Sequence, residues 1–324
     1  MTALLDSPGT APSAPAPRRK LPDVSSYSLA LILLVLCVVA TLSSDAFLTK
    51  DNLINVLTQS SVIGILTVGM TYVILTGGID LSIGSVLAAS SIYLGLQQSS
   101  GGLVMLLAAL FGGMLLGAIN GAAITLGRVV PFIATLAMFS AGKGLALLMS
   151  NNTPIAITNS LVIDLGTKRV LGLPMPIYVF ALVAAIAWVV LNRTAFGRHV
   201  VAVGGNAEAA RASGIRVQRI VFAVYVIAGL CAGIGALLQV GRLGSASPVV
   251  GPGFELDAIA AAVIGGTALS GGKGGIGGSV LGVLLFQVIF NLFTLLDVSS
   301  NTQNIVKGVI ILAAVVLQRF TRKA

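Results

Sequence analysis

The sequence reads as an all-α, polytopic membrane protein with about ten transmembrane helices, and three observations lead there. Charged side chains make up 9% of the 324 residues and hydrophobic ones 56%, whereas about a quarter of a soluble domain is charged. Mean hydropathy is +1.02. Apolar runs recur along the chain at close to the length, about 20 residues, that carries a helix across the hydrocarbon core. The 39 glycines agree, because small side chains let helices approach closely in a bilayer.

Residues 1–24 are rich in Ala, Pro and Ser, end in Arg18, Arg19 and Lys20, and are expected as a disordered cytoplasmic tail. The apolar run after them has no small-residue cleavage pattern, so it is expected to remain as a span rather than leave as a signal peptide. Spans are expected near residues 26–42, 53–76, 81–96, 103–126, 131–149, 174–191, 220–240, 256–269, 276–296 and 305–317. Together they make a membrane domain over 25–320, with 321–324 as a cytoplasmic C-terminus. The third and eighth spans are short and border glycine-rich breaks. No loop is long enough for a soluble catalytic domain, which takes about 50 residues or more.

The net charge of +9 is asymmetrically placed. Arg128, Arg193, Arg198, Arg211, Arg216, Arg219 and Lys273 join the terminal cations in alternate loops, while the opposite loops hold Lys50, Lys168, Arg169 and Arg242. That is the positive-inside pattern, which places both termini in the cytoplasm and lipid, not nucleic acid, around the chain. Lys143 and Lys307 fall within spans. Cys37 and Cys231 lie in apolar runs, where a thiol behaves as a small hydrophobe.

The longest polar interruption is 192–219. Within it Asn206 can cap a helix, Glu208 sits in the first turn where the dipole favours an anion, and Gly214 supplies a stop. A helix of about two turns is unstable alone, so a partner is expected to dock on it.

A second feature is an echo. Gly77, Gly78, Leu81, Ser82 and Gly84 spell GGxxLSxG, and Gly265, Gly266, Leu269, Ser270 and Gly272 spell it again. Such glycines break helices at membrane depth where the freed backbone lines a cavity, and transporters place breaks in matching halves. The span count puts both copies on one side, which an inverted repeat would not do.

Candidate chemistry is sparse. TALSGGKG, residues 267–274, lacks the first Gly and the final Ser or Thr of a phosphate loop, so no nucleotide site is expected here. His199 stands alone, without a second ligand at metal-binding spacing. Charges at membrane depth are functional candidates: Asp80 in the first break and Lys143 in the fifth span either pair around a solute, or cap a helix and snorkel respectively. Glu255 and Asp257 are expected as caps of the eighth span. An ion-coupled secondary transporter is the alternative function, with Asp80 and Asp297 as its candidate carboxylates; a membrane enzyme lacks any nucleophile and base that can be placed together.

VGMTYVILTGGIDLSIGS (68–85), NGAAITLGRVVPFIATLAM (120–138) and AAVIGGTALSGGKGGIGGSVLG (261–282) resemble the permease subunits of bacterial ABC importers for monosaccharides, the ribose-type branch. The resemblance runs from the first span to the last. It implies an inner-membrane permease, similar to the many-span vitamin B12 importer architecture, that works with a second permease subunit as a homodimer or a related pair. It also implies a cytosolic ATPase subunit that holds ATP and Mg²⁺, with no cofactor on this chain, and a periplasmic sugar-binding protein. Glu208, Ala209, Ala210 and Gly214 match the EAA-x-x-x-G core of importer permeases, which makes Asn206–Gly214, Arg211 included, the expected ATPase-docking element. The apolar-Pro ending of that motif is missing at Ile215, Arg216 and Val217. Gln59, Thr71, Tyr72, Asn120 and Lys143 are the expected pathway residues.

Overall fold

The computed structural model describes residues 24–321, with side chains over 28–316. The expected N-terminal tail and C-terminus lie outside the described residues except for Val24 and Thr321, which are helical. The chain is all-α: α1 (Val24–Ser43), α2 (Lys50–Leu75), α3 (Ile83–Leu96), α4 (Gly102–Thr125), α5 (Pro131–Met149), α6 (Ser160–Thr167), α7 (Met175–Arg193), α8 (Ala195–Gly205), α9 (Ala207–Ala212), α10 (Val217–Leu243), α11 (Phe254–Ile264), α12 (Ile276–Leu295) and α13 (Ser300–Thr321). Four two-residue strands, β1 (Ile155–Ala156), β2 (Arg169–Val170), β3 (Leu173–Pro174) and β4 (Ser245–Ala246), form two antiparallel pairs, β1 with β4 and β2 with β3.

A helix stands at each of the ten expected spans. Six of them, α2, α4, α5, α7, α10 and α12, are long and apolar enough to cross a membrane, and shorter apolar stretches occupy 28–43, 83–96 and 300–316. Pro131 and Pro176 lie in the first turns of α5 and α7, where a missing N–H costs nothing. The stretch between the fifth and sixth expected spans folds back onto the bundle. Its helix α6 lies on α10, with Gly166 against the backbone of Gly241 and Arg242.

The bundle is built around α2 and α10. From Ser60 to Leu75 every residue of α2 is buried, so its sequence shows no polar stripe. The closest helix pair is α4 with α10, where Gly113 meets the backbone of Gly229 and Gly233, and Gly117 meets Gly229. These glycines, four apart on each helix, remove the side chains that would hold the axes apart.

The third and eighth spans are corrected. α3 has 14 residues and α11 has 11, about 21 and 17 Å at 1.5 Å per residue, against a hydrocarbon core of about 30 Å. Extended chain supplies the remainder. Residues 77–82 lead into α3. After α10 stops at Gly244, in the left-handed conformation at φ 65°, β4 pairs with β1 and the chain doubles back along α3. Ala246 rests on Gly95 near the end of α3, and Gly251 rests on Gly84 near its start. The N-termini of α3 and α11 therefore meet deep in the bundle, the broken-helix arrangement transporters place at the middle of the membrane.

The sequence echo does not mark this structural one. The first GGxxLSxG precedes α3, whereas the second follows α11. The segment that corresponds to 76–82 in the fold is 244–253, which lacks the motif. The two copies nevertheless touch: Gly272 N–H donates to Leu75 C=O at 2.9 Å, and a Cβ on Gly271 would lie 2.9 Å from Gly77 N.

Candidate functional site

The polar interruption at 192–219 folds as two helices rather than one. Thr194 caps α8, its hydroxyl accepting from Gly197 N–H at 3.3 Å, and Val200 and Val203 turn inward. Asn206 then caps α9, its side-chain oxygen accepting from Glu208 and Ala209 N–H at 3.0 Å each. Gly214, at φ 82°, closes α9 with Ile215 N–H returning to Ala210 C=O at 3.0 Å, a Schellman stop that needs the left-handed residue. Glu208 and Arg211 pair at 2.7 Å on the exposed surface, which is worth only a few tenths of a kcal/mol to the helix. Ala209 is exposed, whereas Ala210 is buried and seats α9 on the bundle.

The end of α8 carries a contact that the sequence reading missed. A Cβ on Gly204 would lie 2.6 Å from Gly272 N and 2.8 Å from the carbonyl carbon of Leu75, and closer still to its oxygen. Three backbones meet there without intervening side chains: α8, the end of α2 and the second glycine-rich loop. The Thr194 cap and the spacing of Phe196, Val200 and Val203 were legible as an amphipathic helix. Nothing in the sequence singled out Gly204 among 39 glycines.

Asp80 and Lys143 do not come together. Asp80 is buried and accepts from Ser82 N–H at 2.8 Å and Ser82 Oγ at 2.6 Å, while Asn120 donates to Ser82 Oγ at 2.8 Å. Thr135 Oγ1 on α5 donates to Ile79 C=O at 3.1 Å. The first break is thus pinned to α4 and α5, and Asp80 serves the turn into α3. Lys143 lies on the exposed face of α5.

Of the other expected pathway residues, Thr71 is buried and bonded to Ser279 at 2.7 Å, tying α2 to α12. Tyr72 is buried and donates to Ala187 C=O on α7 at 2.6 Å. Asn120 is committed to Ser82. Gln59 alone of these residues lines a cavity of about 220 Å³ between α2, α10, α11, α12 and α13. Asp257, expected as a cap, instead pairs with Lys307 of α13 at 2.6 Å at the edge of this cavity, because burial of both side chains leaves each ion the other as its nearest compensation. Glu255 does act as a cap, accepting from Gly253 N–H at 2.8 Å. Asp297 is exposed in the turn between α12 and α13.

A family described as the branched-chain amino acid transport system / permease component matches residues 52–315, which takes in both breaks, the cavity and the α8–α9 element. The chain belongs to that permease family. The permease is 44% identical over 299 residues to the ribose import permease protein of Escherichia coli K12, covering 90% of this chain and 92% of that one. It is 44% identical over 292 residues to the ribose import permease protein of Bacillus subtilis, with 89% and 90% covered. Against the D-allose transport system permease protein of E. coli K12 the figure is 36% over 297 residues, with 90% and 91% covered. No solved structure matches the permease.

Proposed function

We propose that this chain is the membrane subunit of an ATP-driven ABC importer that passes a monosaccharide from a periplasmic binding protein to the cytoplasm. The observation that carries the reading is the 44% identity to ribose import permeases over nine-tenths of both chains. ATP and Mg²⁺ belong to a cytosolic ATPase subunit, and this chain holds no cofactor. Both termini face the cytoplasm, which puts α8 and α9 on the same side.

The ATPase docks on the exposed face of α9, at Asn206, Glu208, Ala209 and Arg211. Its motion enters the membrane at Gly204, where α8 bears directly on α2 and on the second glycine-rich loop. Because α2 leads into one half-length helix and that loop leaves the other, one displacement reaches both half-length helices. Alternating access then follows as a rocking of packed elements around the meeting point of α3 and α11.

Two copies form the pathway. Lys143 supports this, because an ammonium on the exposed face of a membrane helix is costly unless a second subunit or an aqueous channel covers it. An ion-coupled mechanism has less to work with: Asp80 is held by Ser82, and Asp297 lies in an exposed turn.

The test is co-purification of the chain with its ATPase subunit. Wild type is expected to retain the ATPase in detergent, and Glu208→Lys with Gly214→Pro to lose it while the chain stays membrane-inserted and monodisperse. Retention of the ATPase by the double variant would refute docking at α9.

A further inference from the structure

The cavity of about 220 Å³ lies at the end of the bundle away from α8 and α9, beside the start of α2 and the end of α10. Its walls are unusual for a chain with 9% charged residues. Four glutamines from four helices line it: Gln303 donates to Val298 C=O at 2.9 Å, and the three carboxamides of Gln59, Gln239 and Gln287 stand with the Arg242 guanidinium, while the Asp257–Lys307 pair closes one side. Among the described residues Arg242 has no carboxylate within ion-pair distance. Gln239 is buried and Arg242 and Gln287 are half-buried, and polar groups so placed in an apolar bundle cost free energy unless something polar satisfies them.

The chemistry of the wall narrows the occupant. Carboxamides and a carboxylate accept as well as donate across the set, so an occupant that both donates and accepts at several points suits it better than a simple anion. The apolar remainder is Val62, Ile63, Phe254, Phe286 and Phe290, and the Lys307 ammonium lies 5.6 Å from the centroid of the Phe290 ring. Polar side chains beside aliphatic and aromatic ones match a ring that carries hydroxyls on its edge and C–H bonds on its face. The volume of about 220 Å³ gives room for a small solute of the size of one sugar ring.

We propose that this cavity is a monosaccharide-binding site within the permease protomer itself, occupied by sugar arriving at the end opposite the ATPase. The proposal rests on the sugar-importer reading above and adds a location to it. Binding is carried by Arg242 and the three carboxamides, and the Asp257–Lys307 pair holds α13 against the site.

The test uses the full chain with Cys37 and Cys231 changed to alanine and a single reporter cysteine at a lining position outside the binding set, Ile63→Cys in one variant and Phe254→Cys in another. The rate of modification by a small methanethiosulfonate reagent is measured with D-ribose, D-allose, L-arabinose, sucrose or inorganic phosphate present. At a sugar concentration ten times its dissociation constant, mass action predicts an about tenfold slowing. At least one monosaccharide is expected to slow both reporters, sucrose to slow neither, and Arg242→Gln to abolish the protection while an exposed Ala209→Cys reporter is unaffected. The proposal is overturned if neither reporter reacts, if no monosaccharide protects, if sucrose protects equally, or if only inorganic phosphate protects. Uptake by the chain assembled with ATPase and binding protein is measured alongside. Uptake without protection faults the cavity, whereas protection without ATP-dependent uptake faults the importer reading.

Discussion

One methyl group at Gly204 tests how force reaches the membrane. The Cβ of Gly204→Ala would sit 2.6 Å from Gly272 N and nearer than that to Leu75 O, inside any separation that real Cβ atoms adopt. The obstacle is backbone on both sides, so no side chain can rotate away. The segments must part by more than an ångström, which also stretches the 2.9 Å hydrogen bond from Gly272 N–H to Leu75 C=O. Overpacking of this kind costs about 1–3 kcal/mol, and the lost hydrogen bond adds about 1 kcal/mol. Alanine's better helix propensity returns less than about 1 kcal/mol. The net loss is therefore about 1–4 kcal/mol, concentrated where α8, α2 and the second glycine-rich loop meet. Gly205→Ala is the control, since a Cβ there meets nothing within 4 Å. In the reconstituted importer Gly204→Ala is expected to keep the ATPase bound, lower the unfolding midpoint and reduce sugar uptake at least about tenfold, the transport loss exceeding any loss of protein. Gly205→Ala is expected to behave as wild type. Wild-type uptake and midpoint in Gly204→Ala would refute the junction.

Three further outcomes are expected. Lys307→Met leaves Asp257, only 12% exposed, as an uncompensated anion and is expected to destabilise the chain by about 3 kcal/mol; adding Asp257→Leu should recover most of that in a detergent unfolding assay, giving a strongly non-additive cycle. Gly113→Leu drives a side chain into the backbone of Gly229 and Gly233 and is expected to cost at least about 3 kcal/mol, read as loss of monodisperse protein, whereas Gly144→Leu, at an open position on α5, should not. For topology, Ala209→Cys is a better reporter than Ala210→Cys because Ala209 is exposed and Ala210 buried; it should be labelled by a membrane-impermeant maleimide only in inside-out vesicles.

The membrane class was legible because it rests on summed apolar composition, which no single residue can overturn. Helix positions followed from run lengths and from caps such as Asn206. The third and eighth spans read as short and bordered by glycine-rich breaks; what was not legible is that 247–253, as uncharged as the spans around it, runs back along α3 as extended chain. The repeated GGxxLSxG pointed to two real breaks but to the wrong correspondence, since motif similarity reports local backbone needs rather than direction through the membrane. Asp80 was found, and its role as a turn anchor rather than a solute ligand depends on Ser82 and Asn120 converging from two helices. Lys307 and Asp257 are 50 positions apart in the chain, and their pairing is a tertiary fact with no local signal. Gln59 drew notice as a polar residue in an apolar span, but its partners Gln239, Arg242 and Gln287 did not, because their helices converge only in the folded bundle.

The central claim is most directly tested by uptake of radiolabelled D-ribose, D-allose and L-arabinose into proteoliposomes holding this chain, with its ATPase and binding protein supplied. At least one sugar is expected to accumulate when ATP and Mg²⁺ are enclosed, to continue when a protonophore collapses the gradient, and to stop when the ATPase or the binding protein is left out. Accumulation that follows the proton or sodium gradient and proceeds without ATP would contradict the account.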